Sequence, residues 1–133
     1  MKTLSSLGIM GLVVLLLASQ GWCQDTWRDA AGGAVLRDCQ ATVAEMDGQR
    51  LTPAAQAQSA HCLGRIEGLL ATHYLTLERT GMPPWFCVPP AVSVGQVIRA
   101  AVRYMEAHPE RSEWQATHLL FTALSEAFPC QGR

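Results

Sequence analysis

Hydrophobic positions recur at helical spacing in four stretches of this chain, and residues that start and stop helices stand between them. From Thr26 to Met46, the residues Trp27, Ala31, Ala34, Cys39, Val43 and Met46 fall near the i, i+3, i+4, i+7 spacing of one helical face. Asp25 is placed to cap this first helix and Asp47-Gly48 to end it. Gly32-Gly33 weakens its middle by about 1 kcal/mol per glycine relative to alanine. Thr52-Pro53 then gives an N-cap and a proline at the first helical position, where its fixed φ and missing donor fit. The second helix runs to about Glu78 and stops at Thr80-Gly81, with Ile66, Leu69 or Leu70, His73 and Leu77 on one stripe. Beside that stripe, Gly64, Gly68 and Ala71 form a strip of small residues. It reads as a packing device that lets another backbone come close.

Gly81-Met82-Pro83-Pro84-Trp85-Phe86-Cys87-Val88-Pro89-Pro90 holds four prolines in ten residues and cannot be helical. After it, Ser93-Val94-Gly95-Gln96 is a capping box, with Val92 and Val97 as its hydrophobic staple. The third helix continues through Ile98, Ala101, Val102 and Met105. His108-Pro109-Glu110 breaks the pattern and restarts it with Pro109 at the first helical position. A fourth helix carries Trp114, Ala116, Leu119, Leu120, Ala123, Leu124 and Phe128, then ends at Pro129-Cys130. Nothing reads as a strand pair. The pattern predicts an all-α domain, a small bundle of about four helices.

Of the 133 residues, 49% are hydrophobic and the formal net charge is −1. That balance fits one globular domain and lacks the clustered basic face that nucleic-acid binding needs. Part of the apolar content belongs to the start of the chain, where Met1-Lys2 precedes an apolar run from Leu7 to Ala18. A helix of that length spans about 18 Å, short of the roughly 30 Å bilayer core, so the run reads as a signal peptide and not a membrane anchor. Cleavage fits before Trp22 or before Gln24, and Trp22 makes a poor lipoprotein box before Cys23. The favoured cut assigns residues 1–23 to the signal and 24–133 to a single exported domain. It leaves four of the five cysteines, an even number suited to two disulfides in an oxidising compartment.

Four cysteines allow three pairings. If the first two helices form an antiparallel hairpin, Cys39 and Cys62 come level; if the last two do the same, Cys87 meets Cys130. On the chain-entropy account each such staple contributes about 3 to 4 kcal/mol. No Cys-x-x-Cys is present, and none of His61, His73, His108 and His118 sits in a zinc-binding spacing, so no metal or cofactor is expected. His73 on the apolar stripe reads as a satisfied core or rim histidine. His61 beside Cys62 would resemble a Cys–His pair, but a disulfide consumes that thiol. The serines stand in no nucleophile elbow and the carboxylates are scattered, so an enzyme is not expected. Met82, Trp85 and Phe86 are different. Large apolar side chains on a proline-stiffened loop suit a partner-binding hot spot, or a plug for one end of the bundle, or both if the rings point opposite ways.

Taken in series, Cys62-Leu63-Gly64-Arg65-Ile66-Glu67-Gly68, Phe86-Cys87-Val88-Pro89, Val92-Ser93-Val94-Gly95-Gln96, Tyr104 through His108-Pro109-Glu110, and Ala127-Phe128-Pro129-Cys130 form a recognisable pattern. The chain from about Cys39 to Cys130 resembles the Rap/Tai family of immunity proteins against type VI secretion amidase effectors. It departs from the usual pattern at Arg65, where a tyrosine is common, and has a longer segment between Cys39 and Cys62. The resemblance implies a periplasmic helical domain, often a homodimer, that binds a cell-wall amidase and occludes its catalytic cleft. A small periplasmic acid-stress-type chaperone is the alternative for a stapled helical domain of this size.

Overall fold

Side-chain caps set the starts of two of the four helices. The computed structural model describes residues 30–131, so the signal-peptide reading of 1–23 and the predicted helix start at Thr26 lie outside it. Four α-helices follow in order: α1 Gly32–Met46, α2 Pro53–Thr80, α3 Val94–Ala107 and α4 Ala116–Ala127, with a 3-10 turn at Pro109–Arg111 before the last. Thr52 accepts a hydrogen bond from the Ala55 amide and Pro53 opens α2 as expected. Gly81, at φ 65°, closes that helix in the left-handed conformation that favours glycine. At α3 both halves of the capping box are made: Ser93 Oγ accepts from the Gln96 amide, and Gln96 Oε1 accepts from the Ser93 amide at 2.8 Å.

Two helix starts differ from the sequence reading, for one shared reason. Helix α1 begins at Gly32, and its glycines form the first turn instead of a weak middle. Ala31 has no capping side chain, so the orphan amides of Gly32 and Gly33 donate to the carbonyls of Trp114 and Ser112, each at 2.8 Å. The Ala116 amide donates in turn to the Ala30 carbonyl at 2.8 Å. Residues 112–115 are committed to this junction, so Pro109 opens only a 3-10 turn and α4 starts at Ala116. A ladder of side chains holds the connection. His118 stacks on Trp114 at 4.9 Å, Arg111 lies over both Trp114 and Tyr104, and Tyr104 meets His108 at 4.4 Å.

Helix α1 is the hub, packed against α2 on one side and against α3 and α4 on the other. Val35 and Cys39 of α1, Ile66 of α2, Ile98 and Ala101 of α3 and Leu120 of α4 are fully enclosed in one core. Polar groups within it are paired: Thr42 donates to the Ser59 carbonyl at 3.2 Å, and Ser59 donates to Glu45 at 2.6 Å. The structure joins Cys39 to Cys62 and Cys87 to Cys130, the pairing that antiparallel hairpins require.

Helix α2 has 28 residues against 15 in α1, so it outruns its partner by about 20 Å at 1.5 Å per residue. Helix α1 covers the Cys62–Ile66–Leu69 stripe. The neighbouring strip of Gly64, Gly68 and Ala71 is exposed, and a Cβ added to either glycine would meet nothing within 4 Å. The expected close approach is therefore not made among the described residues, because the hub helix lies on the larger side chains.

Glycines on the two helices should respond oppositely to substitution. A Cβ at Gly32 would collide with Leu119 Cδ2 and press on the Ser112 carbonyl. Gly32→Ala should cost about 1–3 kcal/mol in urea unfolding, as overpacking does. Gly64→Ala, in open space on a helix, should stabilise by about 1 kcal/mol.

Acid titration tests a second tie. The hydrogen bond from Arg99 on α3, at 2.6 Å, holds the Asp47 carboxyl below its ordinary value of 3.8. A depressed carboxyl contributes stability above its unfolded value and loses it as pH falls through the folded one. Stability should drop below about pH 3.8, and Asp47→Asn should flatten that part of the profile in chemical denaturation.

Candidate functional site

The overhang of α2 is where the proline-rich segment returns. Thr80 Oγ1 donates to the Thr76 carbonyl at 2.7 Å and accepts from the Met82 amide at 3.3 Å, which turns the chain back along the helix. From there the loop is fastened at consecutive residues. Phe86 is wholly buried, its ring stacked on His73 with centroids 4.0 Å apart and tilted against Phe121. The Phe86 carbonyl can only accept, so His73 Nε2 carries the proton and donates to it at 3.1 Å. One residue on, the Cys87 amide donates to the Phe128 carbonyl at 2.8 Å and the Cys87 sulfur is bonded to Cys130. The Val88 amide donates to the Tyr74 hydroxyl at 3.2 Å.

Alternation along the extended segment sends the neighbouring ring outward. Trp85 is 55% exposed and Met82 50%, while Phe86 is at 0%. Trp85 rests edge-on against Phe121 at 4.8 Å, so it is supported from beneath and open above. A hollow of about 190 Å³ lies beside it, lined by Thr72, His73, Thr76, Leu77, Met82 and Phe121. Among the described residues no Asp, Glu, Lys or Arg lines the hollow, and Tyr74 and Leu75 on the same part of α2 are also exposed. Met82, Trp85 and Phe86 thus divide their work: two face solvent, and the third is the plug that fixes them.

The other candidate groups are not brought together. His73 serves the loop, His108 pairs with Glu110 at 3.1 Å, His118 stacks on Trp114, and His61 is exposed with Cys62 beside it in a disulfide. Among the described residues no three of His, Cys, Asp and Glu gather to hold a metal ion, and no helix is long and apolar enough to cross a membrane. Tyr74, Leu75 and Phe121 join the exposed patch or its support without having been singled out from the sequence. Their signal was present for two of them, since Tyr74 and Leu75 are large apolar residues lying off the buried stripe of α2.

Residues 31–130 match the family model of the Rap1a immunity proteins. The chain belongs to the Rap1a immunity protein family. The match spans all four helices, the loop and the four described cysteines. No curated protein and no solved structure matches the chain. Membership in the Rap1a family makes this an immunity protein for a secreted effector, a role carried by binding and inhibition.

Substitutions at the two adjacent rings should separate support from contact. Phe86→Ala empties a closed site and should cost about 3–5 kcal/mol in thermal or urea unfolding. Trp85→Ala should shift stability by less than about 1 kcal/mol, because its ring is largely in water already.

Proposed function

We propose that this Rap1a-family protein acts in the periplasm, where it binds a peptidoglycan amidase delivered by type VI secretion and blocks that enzyme's catalytic cleft with the loop carrying Met82 and Trp85. Family membership supports an effector as partner, and the signal-like start of the chain supports export. The observation that carries the choice of surface is Trp85, half exposed on a loop fastened from behind at Phe86, Cys87 and Val88.

Inhibition of this kind needs no chemistry from the inhibitor. An apolar knob that enters a cleft displaces water and keeps substrate out for as long as it stays bound. Tryptophan is favoured in such roles because it supplies large contact area with only two side-chain torsions to immobilise. The prolines and anchors lower the ordering cost further, since the loop already holds one conformation before it meets a partner. The homodimer implied by the sequence resemblance belongs to the same proposal, and sedimentation of the purified protein tests it.

Capture on the oxidised protein, from periplasmic and secreted fractions, should recover a cell-wall amidase. Cleavage of muropeptides by that amidase should stop at an equimolar amount of the protein. Trp85→Ala should weaken binding by about 30-fold, equivalent to about 2 kcal/mol, and Met82→Ala by less. An amidase that stays fully active beside saturating oxidised protein overturns the reading. So does recovery of many unrelated clients only after acid treatment, the behaviour of a chaperone.

A further inference from the structure

The two disulfides occupy different kinds of place. Cys39 and Cys62 are 0% and 1% exposed, in the middle of two packed helices, so a reductant reaches them only if the α1–α2 hairpin parts. Cys87 and Cys130 are both part-exposed, and neither lies in a helix. Their bond ties the proline-rich loop to the segment following α4, two residues along the chain from Trp85. The amide of the same Cys87 donates to the Phe128 carbonyl, two residues before Cys130, so the covalent tie and the hydrogen bond hold the same two strands of chain together.

We propose that Cys87–Cys130 is a reducible clamp on the recognition loop, separable from the structural Cys39–Cys62 staple, so that the loop is set for binding only in an oxidising compartment. The regulatory part of this proposal rests on the loop being the amidase-binding surface; the clamp itself does not. The exchange is simple and balanced. A thiolate of a dithiol reductant attacks one sulfur of the pair and expels the other as thiolate, and the reductant's second thiol then resolves the mixed disulfide. Two electrons and two protons pass to Cys87 and Cys130, which become thiols, and the dithiol leaves as its own disulfide. Opening the bond leaves Phe86 in the core but removes the restraint that keeps the Cys87 and Val88 amides paired. Before export the chain would hold two thiols here and a loosened loop. After export, exchange with an oxidant disulfide, which leaves as a dithiol carrying the two electrons and two protons, forms the bond and sets the loop.

Graded dithiothreitol applied to the full oxidised protein, with alkylation and peptide mass spectrometry, reads the order of opening. Cys87 and Cys130 should be alkylated at no more than one tenth of the reductant concentration that exposes Cys39 and Cys62. At that point hydrogen exchange at the Cys87 and Val88 amides should speed up at least tenfold, with amides around Cys39 and Cys62 unchanged. A double variant, Cys87→Ser with Cys130→Ser, should show the same pattern, and the graded reduction of the native protein decides the matter if that variant fails to fold. Simultaneous opening of both disulfides overturns the proposal, as does unchanged exchange at Cys87 and Val88 after selective reduction. With the amidase recovered by capture, the selectively reduced protein should inhibit at least tenfold more weakly than the oxidised one, and equal inhibition overturns the regulatory claim. Absence of inhibition by the oxidised protein counts against the proposed function instead, leaving exchange to judge the clamp.

Discussion

The first turn of α1 has no side chain to cap it, and the rest of the bundle is arranged around that lack. The amides of Gly32 and Gly33 take carbonyls from Trp114 and Ser112, on the connection between α3 and α4. This ties the hub helix to the second hairpin at its start, while the Cys39–Cys62 bond ties it to α2 at its middle. Glycine suits the approach at position 32, because a Cβ there would displace the Leu119 side chain. Unsatisfied amides buried at that junction would each cost about 1–3 kcal/mol, so the connection must be held in place. The ladder from His118 through Trp114 and Arg111 to Tyr104 does that, with Arg111 also donating to the Tyr104 hydroxyl.

With α1 fixed at that end, its length determines where a surface is left over. Fifteen residues pack against the first part of α2 and leave the rest beyond the reach of α1, with Phe121 of α4 meeting it at His73. A long exposed apolar overhang would be a liability. The chain covers it with an irregular segment, which has few regular hydrogen bonds of its own and must borrow partners. His73, Tyr74 and Phe128 supply them. The result is a surface element whose backbone satisfaction comes from helices, so it is as well determined as they are. That is why a loop with four prolines can present Trp85 in one orientation.

Much of this was legible in the sequence, and what was not has a common physical cause. Three local signals in the sequence match the structure, Thr52 as an N-cap, Ser93 with Gln96 as a capping box and Gly81 as a stop, and in each the partner lies within about a turn. The cysteine pairing follows from helix lengths once each pair of helices is taken as an antiparallel hairpin. The starts of α1 and α4 were misplaced because their amides are satisfied by residues roughly eighty positions away, and no local pattern records that. The Gly64–Gly68 strip misled for a similar reason. Small residues advertise room for a neighbour without saying whether the neighbour is in the same chain. Candidate contact residues were identified as a group, but their division into buried Phe86 and exposed Trp85 depended on the loop's path, which His73 and Phe128 decide.

A loop fixed this firmly favours inhibition over turnover. Binding loses free energy to every torsion that must be frozen on contact, and here the backbone torsions are frozen beforehand by proline rings, a disulfide and three borrowed hydrogen bonds. The side chain that remains, Trp85, has support beneath it from Phe121 and an apolar hollow beside it. His73 Nε2 is committed to the Phe86 carbonyl, and among the described residues no Asp, Glu, Lys or Arg lines the hollow, so its surface is mainly apolar. What the surface can do is fit. A preformed apolar projection on a stapled bundle has little left to order on contact, which is what its proposed role as the effector-binding surface requires.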